Sequence, residues 1–538
     1  MVFFDKVLDP VSIKAVSVFL GIIFVLWRIY LKIDEIARLR RLGARGPKLN
    51  SNFPFGFDII WGQVRANLNN TSLESFFRLL ETTPDYTGEA RVLGKRIIAT
   101  ADPEIIKAVL ATQFSDFGKG EPFHRQWSIF LGDSIFTTDG QMWHNSRHLL
   151  RPQFSRERIS DLHCFESHLD TLFKAIANGG VLDGVDQKVD LEAGNGKPLD
   201  ISELFFRFTL DVSTSFLLGI DIQSLTNPRE PFAQAFDRVQ RVMSIRSRAT
   251  PLDFLVPRRQ FNRDLAVVNR LCDVYIEGVL QLSAEELASK TRSDHEYTFL
   301  HELAQFTRDR KVIRDQVVAV LLAGRDTTAS TLSFALYELG RRPDALRRLR
   351  REILDTVGPD RTPTYADLKS MKYLQNVLNE TLRLYPVVPY NVRMALKDTT
   401  LPRGGGVDGS EPLAVLKDTP IWYSTLVMQR RRDLYPAATE KSGGFPDPAT
   451  WSPDRWFSWQ PRPWTYIPFN GGPRICIGQQ FALTEMGYVL TRMFQRFDRI
   501  ESFMHEIDGG KPTLKADIVI TPGDGVKVAF WERAKGKA

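Results

Sequence analysis

The sequence predicts a mainly α-helical protein with small β-sheets (an α+β chain), in which a single large domain follows an N-terminal transmembrane helix. Three patterns predict it: helical periodicity between 142 and 384, short β-runs between 386 and 425, and an apolar run near the N-terminus. A chain of 538 residues with 43% hydrophobic content can bury a large core. We expect a membrane anchor with a basic hinge over residues 1–46 and one domain over residues 47–538.

The composition limits the partners. A net charge of +7 suits an anionic membrane surface or an acidic protein partner. Basic residues do not alternate with aromatic ones along any stripe, so we expect no nucleic acid partner. The three cysteines, Cys164, Cys272 and Cys476, are far apart, which argues against a disulfide framework and favours a reducing compartment. Cys164 and Cys272 are expected to be small buried hydrophobic residues.

The apolar run from Ala15 to Leu31 predicts the anchor. It contains 17 residues, which is roughly 25 Å of helix at about 1.5 Å per residue and near the lower limit for crossing a hydrocarbon core. No small-x-small cleavage site follows it, although a cleaved signal peptide is the alternative. By the positive-inside rule, the basic residues that follow predict a cytosolic domain: Lys32, Arg38, Arg40, Arg41, Arg45 and Lys48. Gly43, Gly46 and Pro47 are expected to end the helix.

Local signals predict the first elements of the domain. Residues 91–100 predict a small strand pair around Gly94. Asp102 and Pro103 predict the N-cap and the first residue of a helix that runs to about Leu110. A long helical stretch and a second set of short strands follow.

Cys476 lies in a glycine-rich stretch, residues 469–478, that reads Phe-Asn-Gly-Gly-Pro-Arg-Ile-Cys-Ile-Gly and precedes a helix. The dipole and the free N–H groups of a helix N-terminus stabilise a thiolate. The glycines let the backbone approach a flat cofactor closely. Phe469 can shield the sulfur, and Arg474 can reach an acidic substituent of that cofactor. These features predict Cys476 as an iron ligand; the alternative is a glycine-rich turn with an inert cysteine.

Glu380 and Arg383 lie on a predicted helix over residues 371–384. Residues three apart share a helix face, so the two side chains can form an ion pair. Taken alone, this spacing usually belongs to a solvated surface pair. Arg455 supplies a second arginine that can bind the same carboxylate and tie the Cys476 loop to the core.

Asp326 and Thr327 lie in the middle of an apolar helix predicted over residues 312–340. Gly324 in a helix interior costs about 1 kcal/mol, and a buried acid costs more, so the segment suggests function. A groove beside Gly324, formed by a local π-bulge, would admit dioxygen, and the carboxyl and hydroxyl groups would relay protons to it. The alternative is a core helix with a packing glycine and hydroxyls bonded to the i−4 carbonyl.

Trp143 and Arg147 are four residues apart, on one face of a predicted helix. Arg393 is a further isolated cation after the Glu380 helix. Arg147, Arg393 and Arg474 together can neutralise two carboxylates of a buried cofactor. Lone arginines are usually exposed, so this assignment depends on the other motifs.

These stretches and their order along the chain resemble the cytochrome P-450 superfamily. With the anchor, the resemblance covers nearly the whole chain. It implies the cytochrome P-450 fold and a bound haem b. It also implies a role for each residue: Cys476 as the proximal iron ligand; Trp143, Arg147, Arg393 and Arg474 as propionate contacts; Glu380, Arg383 and Arg455 as a structural ion-pair triad; Asp326 and Thr327 as the oxygen-activation pair.

Five further stretches resemble the fungal microsomal branch that hydroxylates alkanes and fatty acids: residues 131–140, 150–154, 206–211, 401–406 and 429–435. Gln429 stands where that branch usually has histidine, and the segment 436–450 is longer than its counterpart there. By the same resemblance, Ala319, Leu322 and Ala323 are expected to lie near the iron.

The resemblance implies a monooxygenase that hydroxylates an apolar substrate with O2. Its electrons would come from NADPH through a separate reductase, because the sequence has no flavin or nicotinamide motif. A long-chain alkane or fatty acid is the expected substrate, and a terpenoid or polyketide of secondary metabolism is the alternative. A reductase-independent haem-thiolate isomerase and a non-catalytic haem- or lipid-binding protein also stay open.

The implied partners are NADPH–cytochrome P-450 reductase and cytochrome b5. The expected location is the endoplasmic reticulum membrane, crossed once, with the catalytic domain in the cytosol.

Overall fold

The fold is described by a computed structural model over residues 10–49, 56–249, 253–289, 298–435 and 446–533. The first residues of the predicted anchor, 1–9, lie outside these ranges. So do residues 436–445, which make up most of the segment that the sequence analysis identified as extended.

Helices dominate the described chain, as the sequence predicts. Their bounds are α1 (Pro10–Leu42), α2 (Phe57–Leu68), α3 (Ser72–Glu81), α4 (Pro103–Lys107), α5 (Gly120–Leu131), α6 (Gly140–Leu150), α7 (Arg156–Ile159), α8 (His163–Asn178), α9 (Ile201–Leu218), α10 (Pro231–Ala249), α11 (Arg259–Leu280), α12 (Ala284–Ser289), α13 (Phe299–Phe306), α14 (Arg310–Gly340), α15 (Pro343–Thr356), α16 (Tyr365–Ser370), α17 (Lys372–Leu384), α18 (Thr425–Met428), α19 (Arg455–Ser458), α20 (Gln479–Arg496) and α21 (Met504–Asp508).

The strands are short and form small sheets. Their bounds are β1 (Thr87–Val92), β2 (Lys95–Thr100), β3 (Phe117–Gly118), β4 (Leu199–Asp200), β5 (Asn391–Ala395), β6 (Thr399–Gly405), β7 (Glu411–Val415), β8 (Pro420–Tyr423), β9 (Phe497–Ser502), β10 (Leu514–Ala516), β11 (Ile520–Pro522) and β12 (Lys527–Glu532). One sheet has the order β1-β2-β8-β5-β3, in which only β2 and β8 are parallel. A second has the order β4-β12-β9, and β6-β7 and β10-β11 form two hairpins.

The strand pair predicted around Gly94 is confirmed. Strands β1 and β2 pair antiparallel from Thr87–Thr100 to Val92–Lys95. Leu93 and Gly94 both have positive φ, as a two-residue hairpin turn requires. The predicted N-cap is confirmed as well, because the Asp102 carboxylate accepts hydrogen bonds from two N–H groups of α4. This helix then widens into a π-helical turn over residues 108–112.

Helix α14 runs through the centre of the domain and packs against α9, α11, α17 and α20. Asp309 caps its start by accepting from the N–H groups of Lys311 and Val312. The two largest clusters of buried apolar side chains meet on it: Val317 and Leu321 belong to one, and Leu332 and Phe334 to the other. The predicted helix over 312–340 is therefore confirmed, and it is the scaffold against which the other helices are positioned.

The N-terminal helix α1 is longer than the 17-residue run suggests. Its residues 15–42 form one stretch apolar enough to cross a membrane, with a mean hydropathy of 2.0 in its most apolar window. Residues 15–33 are exposed, whereas Leu39 is buried and Arg38 forms an ion pair with Asp398 at 2.6 Å. The helix ends at Leu42, immediately before Gly43, as the glycine predicts. The first part of α1 thus suits a membrane anchor, and its last part packs on the domain.

Candidate active site

The loop that carries Cys476 lies between a single 3-10 turn and the start of α20, which Gly478 caps. The Cys476 N–H donates a hydrogen bond to the Phe469 carbonyl at 2.9 Å. Gly472 has a φ of +68°, and a Cβ atom there would lie 1.9 Å from the Leu110 carbonyl oxygen. Only glycine fits at 472, so the loop is held directly against the π-helical turn at 108–112.

The Cys476 thiol lies deep among protein atoms and is nevertheless exposed, so it faces a space inside the fold. Burial raises the pKa of this thiol, and the Gly478 N–H and the Arg147 charge only partly offset that effect. The helix N-terminus therefore does not by itself produce the thiolate. A bound metal ion deprotonates a coordinating thiol outright, so a metal ion at this sulfur would supply what the helix lacks. Within the described chain, Cys164 and Cys272 are free cysteines whose pKa burial raises in the same way.

Trp143 and Arg147 project from one face of α6 toward the Cys476 loop. Arg147 Nη1 donates to the Ile475 carbonyl at 3.0 Å. Trp143 is buried, and the guanidinium carbon of Arg474 lies 4.6 Å from the centre of its ring. The guanidinium carbon of Arg147 also lies 5.9 Å from the centre of this ring. The indole therefore helps to hold two arginines of the site in place through cation–π contacts.

Arg474 and Arg393 form the centre of a buried positive cluster. Arg474 Nη2 donates to Asp139 Oδ1 at 2.6 Å and to the Thr138 carbonyl at 2.8 Å. Its Nε atom is buried and has no hydrogen-bond partner among the described residues. Burial and the nearby Arg393 lower the pKa of Arg474 to about 10. Arg393 is 3% exposed and donates to the Val392 carbonyl.

Lys119 is a further member of this cluster that the sequence analysis missed. Its Nζ donates to Asn391 Oδ1 at 3.1 Å and lies 4.3 Å from the centre of the Phe123 ring. Burial, followed by repulsion from Arg393 and Arg474, holds the pKa of Lys119 well below its usual value. Lys119 belongs to no recognised motif. The glycines on either side of it, Gly118 and Gly120, were the only feature of the sequence that could have pointed to it.

This cluster fits a haem with two ionised carboxylates. Lys119 and Arg474 lie near one carboxylate, that of Asp139, and Arg393 lies beside both. Even with the Lys119 amine uncharged, the two guanidinium groups exceed this carboxylate by one positive charge in a buried place. Buried charges without partners are costly, so such a surplus is typical of an anion site. The unpartnered Arg474 Nε and the accessible Cys476 thiol belong to the same loop, two residues apart.

Asp326 and Thr327 lie on α14 in different surroundings. Asp326 is 4% exposed; its Oδ1 accepts no hydrogen bond within the described ranges, although Arg325 Nη1 lies 3.4 Å away. Burial raises the pKa of Asp326 to about 6, and the charge of Arg325 only partly offsets this. Thr327 Oγ1 donates to the Ala323 carbonyl at 2.6 Å. Arg325 itself pairs with Asp237 of α10 at 2.5 Å.

The π-bulge expected beside Gly324 is not present, because α14 keeps α-helical geometry over its whole length. The Thr327 hydroxyl is accommodated by the i−4 carbonyl instead, without widening of the turn. A partly exposed strip on one side of α14 is present instead. Between residues 315 and 340, every residue of α14 is buried except Val320, Ala323, Gly324 and Thr327.

These four positions are spaced i, i+3, i+4 and i+7, so they form one face of the helix. That face is apolar except for a single hydroxyl. Ala319 and Leu322 are buried, whereas Ala323 is on the open face. That these three residues lie near the iron stays a prediction.

Glu380, Arg383 and Arg455 come together in the core. The Glu380 carboxylate accepts from Arg383 Nε at 2.8 Å, from Arg383 Nη2 at 2.9 Å and from Arg455 Nε at 3.1 Å. The Ser452 N–H and the Trp456 indole N–H also donate to it. Burial alone would raise the pKa of Glu380, but the two arginines outweigh it and lower that pKa. The three side chains are no more than 2% exposed.

Phe469 is partly buried and packs beside Leu382, Val387 and Val519. Its carbonyl is the acceptor for the Cys476 N–H, as described above. Its ring therefore belongs to an apolar cluster that joins the Cys476 loop to α17 and to the hairpin β10–β11. That the ring shields the sulfur stays a prediction.

Comparisons with known proteins agree with one family over most of the chain. A family model described as Cytochrome P450 matches residues 47–506. The chain is 53% identical to Cytochrome P450 monooxygenase pvhE of Talaromyces variabilis, over 95% of both chains. It is 38% identical to Cytochrome P450 52A12 of Debaryomyces hansenii, over 88% of this chain and 89% of that one. It is 41% identical to Cytochrome P450 52A1 of Candida tropicalis, over 76% and 74%.

A solved structure shares the fold. The crystal structure of cytochrome P450DA heme domain superposes with a TM-score of 0.70 at 21% identity, covering 92% of this chain and 98% of that one. The predicted fold class is thereby confirmed.

Replacing Glu380 tests the triad. Glu380→Gln leaves two buried guanidinium groups without a counter-charge, so we expect the free energy of unfolding to fall by about 3–5 kcal/mol. Denaturant unfolding followed by tryptophan fluorescence measures it. Glu501→Gln is the matched control, because it breaks an exposed pair with Arg499 and should cost about 0–1 kcal/mol. Equal losses in the two variants would contradict the structural role of the triad.

Replacing Asp326 tests the cost of its burial. The folded-state pKa of about 6 lies above the ordinary aspartate value of 3.8, so the folded protein holds this proton more tightly than the unfolded chain. The carboxyl therefore lowers stability as pH rises from about 4 to 6, by on the order of 2–3 kcal/mol in total. We expect Asp326→Asn to be more stable than wild type above pH 6, with the difference vanishing below about pH 4. Unfolding curves between pH 4 and 8 check this, and a difference independent of pH would refute it.

Proposed function

The chain belongs to the cytochrome P450 family, and on that basis we propose that it is a membrane-anchored monooxygenase that hydroxylates a long-chain alkane or fatty acid. Its enzyme class follows from the family: a haem-thiolate monooxygenase with cysteine as the iron ligand. The observation that carries the proposal is the accessible Cys476 thiol beside a buried surplus of positive charge.

The residues of this chain divide the work as follows. Haem b, bound through the Cys476 sulfur, supplies the activation of dioxygen and the insertion of one oxygen atom into a C–H bond. Arg147, Arg393 and Arg474 neutralise and orient its two carboxylates, and Trp143 braces the arginines. Lys119 is a fourth contact of the same kind.

Asp326 and Thr327 carry protons. With a pKa of about 6, the Asp326 carboxyl exchanges its proton readily near neutral pH, as a proton donor must. The Thr327 hydroxyl is on the open face of α14, where it can pass a proton onward once it rotates away from the Ala323 carbonyl. Glu380, Arg383 and Arg455 take no part in the chemistry and hold the Cys476 loop on the core.

The substrate is apolar by this proposal. The open face of α14 offers Val320, Ala323 and Gly324, which can pack against a hydrocarbon but cannot hydrogen-bond to one through their side chains. The stretches at 131–140 and 206–211, which resemble the branch that hydroxylates alkanes and fatty acids, support a long chain. A terpenoid or polyketide is the second candidate, because an apolar face does not by itself distinguish such a substrate from a straight chain.

The remaining proposals concern location and partners. We propose that residues 1–46 anchor the chain in the endoplasmic reticulum membrane and that residues 47–538 form the cytosolic catalytic domain. The exposed apolar part of α1 and the match of the family model from residue 47 support that division. Resistance of the membrane-bound protein to carbonate extraction, and its loss on deletion of residues 1–31, would check the anchor. P450 enzymes generally take electrons from a reductase; NADPH–cytochrome P-450 reductase and cytochrome b5 are the proposed donors.

Two rival functions are less well supported. A reductase-independent isomerase and a non-catalytic haem- or lipid-binding protein need no proton delivery to dioxygen. The buried Asp326 beside an open-face hydroxyl would then be a stability cost without a use. Turnover that proceeds without NADPH and reductase would favour the first rival.

The iron ligand is tested by spectroscopy. Carbon monoxide added to the reduced wild-type protein should give the red-shifted Soret band of a thiolate-ligated haem. Cys476→Ala should abolish that band, because the other two cysteines of the sequence, Cys164 and Cys272, lie within helices α8 and α11. Cys272→Ala, which changes a buried cysteine elsewhere, should retain the band. An unshifted band in the wild type would overturn the proposed function.

The substrate class is tested by binding. We expect alkanes and fatty acids of long chain to displace water from the ferric iron and give type I spectral shifts. Polycyclic terpenoids serve as the comparison set. Shifts with terpenoids alone would replace the first substrate proposal by the second.

A further inference from the structure

Gln429 is a buried residue to which the proposed function gives no role. It stands where the fungal hydroxylase branch usually has histidine, and it has no exposed surface. Its side chain makes three hydrogen bonds. They join the end of α17 to Ile467, which lies shortly before the Cys476 loop in the sequence.

The first two bonds cap a helix. Helix α17 ends at Leu384, shortly before Pro386, so its last carbonyls have no N–H partner from a following turn. Gln429 Nε2 donates to the Leu382 carbonyl at 3.1 Å and to the Arg383 carbonyl at 3.0 Å. The neighbouring Arg430 donates to the Leu384 carbonyl at 2.9 Å. Side chains from a distant segment thus replace the missing turn of α17.

The third bond reaches the Cys476 loop. Gln429 Oε1 accepts from the Ile467 N–H at 2.9 Å. The Ile467 carbonyl in turn accepts from the Asn470 N–H at 2.9 Å. The carbonyl of Phe469, inside that turn, accepts from the Cys476 N–H. Hydrogen bonds and the intervening backbone of residues 467–470 therefore connect the end of α17, through one amide, to the backbone of Cys476.

Arg383 closes the arrangement from the other side. Its Nη1 donates to the backbone carbonyl of Gln429 at 2.9 Å, while its other nitrogens bind Glu380. Arg383, which belongs to the core triad, thereby fixes the backbone of Gln429. The side chain of Gln429 is then directed toward the end of α17 and Ile467. Gln429 extends the rigidity of the triad toward the loop.

Glutamine suits this position because of its hydrogen-bonding capacity. A primary amide offers two N–H donors and an acceptor, which match two carbonyls and one N–H group. A neutral imidazole offers one donor and one acceptor, so histidine would satisfy two of the three groups. A side chain without polar atoms would leave all three unsatisfied in the core, which is costly.

We propose that Gln429 is a positioning residue for the iron ligand: its amide locks the start of the Cys476 loop to the C-terminus of α17. It does not touch the haem; it acts through Ile467 and the Phe469–Cys476 hydrogen bond. This inference rests on the proposed function, in which Cys476 holds the iron.

A matched residue separates positioning from ordinary stabilisation. Gln495 is also buried, and its Nε2 also donates to two carbonyls, those of Gly358 and Arg361, at 2.7 and 2.8 Å. Its Oε1 accepts from Arg492 at 3.0 Å. It lies near the end of α20, away from the loop that precedes Cys476.

The test compares Gln429→Met with Gln495→Met in the full-length, haem-loaded, membrane-bound protein. Both changes remove three hydrogen bonds at nearly constant volume, so both should lower the midpoint of thermal unfolding. Only Gln429→Met should disturb the ligand: in the reduced protein with carbon monoxide, at least half of the thiolate-type Soret absorbance should move to the unshifted position. Gln495→Met should keep the wild-type band.

A thiolate band in Gln429→Met as strong as in Gln495→Met would overturn the proposal and leave Gln429 with a purely structural role. If Gln429→Met does not fold, Gln429→Asn and Gln495→Asn take their place, because the shorter amide keeps its polarity but cannot span both the α17 carbonyls and Ile467. A wild-type band in Gln429→Asn would overturn the proposal equally. Cys476→Ala distinguishes failure of the positioning role from failure of the proposed function. A thiolate band that persists in Cys476→Ala would overturn the proposed function, whatever the result for Gln429.

Discussion

The Glu380 carboxylate, bound by two arginines in the core, is the interaction on which the rest of the site depends. This carboxylate is the charged group that both buried cations bind, and each cation comes from a different part of the chain. Arg383 belongs to the helix that packs on α14, and Arg455 to the segment that leads into the Cys476 loop. The Cys476 side of the site is therefore an extension of the core.

Helix α14 carries two opposed requirements. Most of its surface is buried between the two largest apolar clusters. Its open face has to admit small molecules and to hold an ionisable acid close by. Asp326 shows the compromise, because burial raises its pKa toward neutrality while Arg325, shared with Asp237, limits the rise. By the proposed function, the stability lost at this position is the cost of keeping a proton donor in a dry interior.

Most of the fold and the candidate iron ligand could be predicted because their signals are local. Helical periodicity gave α14, an Asp-Pro pair gave the start of α4, and glycines around Cys476 gave the loop. Features that depend on distant partners could not be predicted. Lys119 becomes part of the site only because folding brings Arg393 and Arg474 beside it, and Gln429 caps α17 only across 46 residues of chain. The π-bulge was a local inference that failed, because Thr327 bonds the Ala323 carbonyl without opening the helix.

Helix α1 has a mechanical consequence. It continues without a break from its exposed apolar part to Leu39 and Arg38, which are fixed to the domain. In the proposed anchored state this tether has no joint at the bilayer surface, so tilting of the helix would tilt the whole domain with it. The domain would rotate about the membrane normal but would not tumble freely. An encounter with the proposed electron donor in the same bilayer would then be a search over one angle and two dimensions, which is far smaller than the search between freely tumbling proteins.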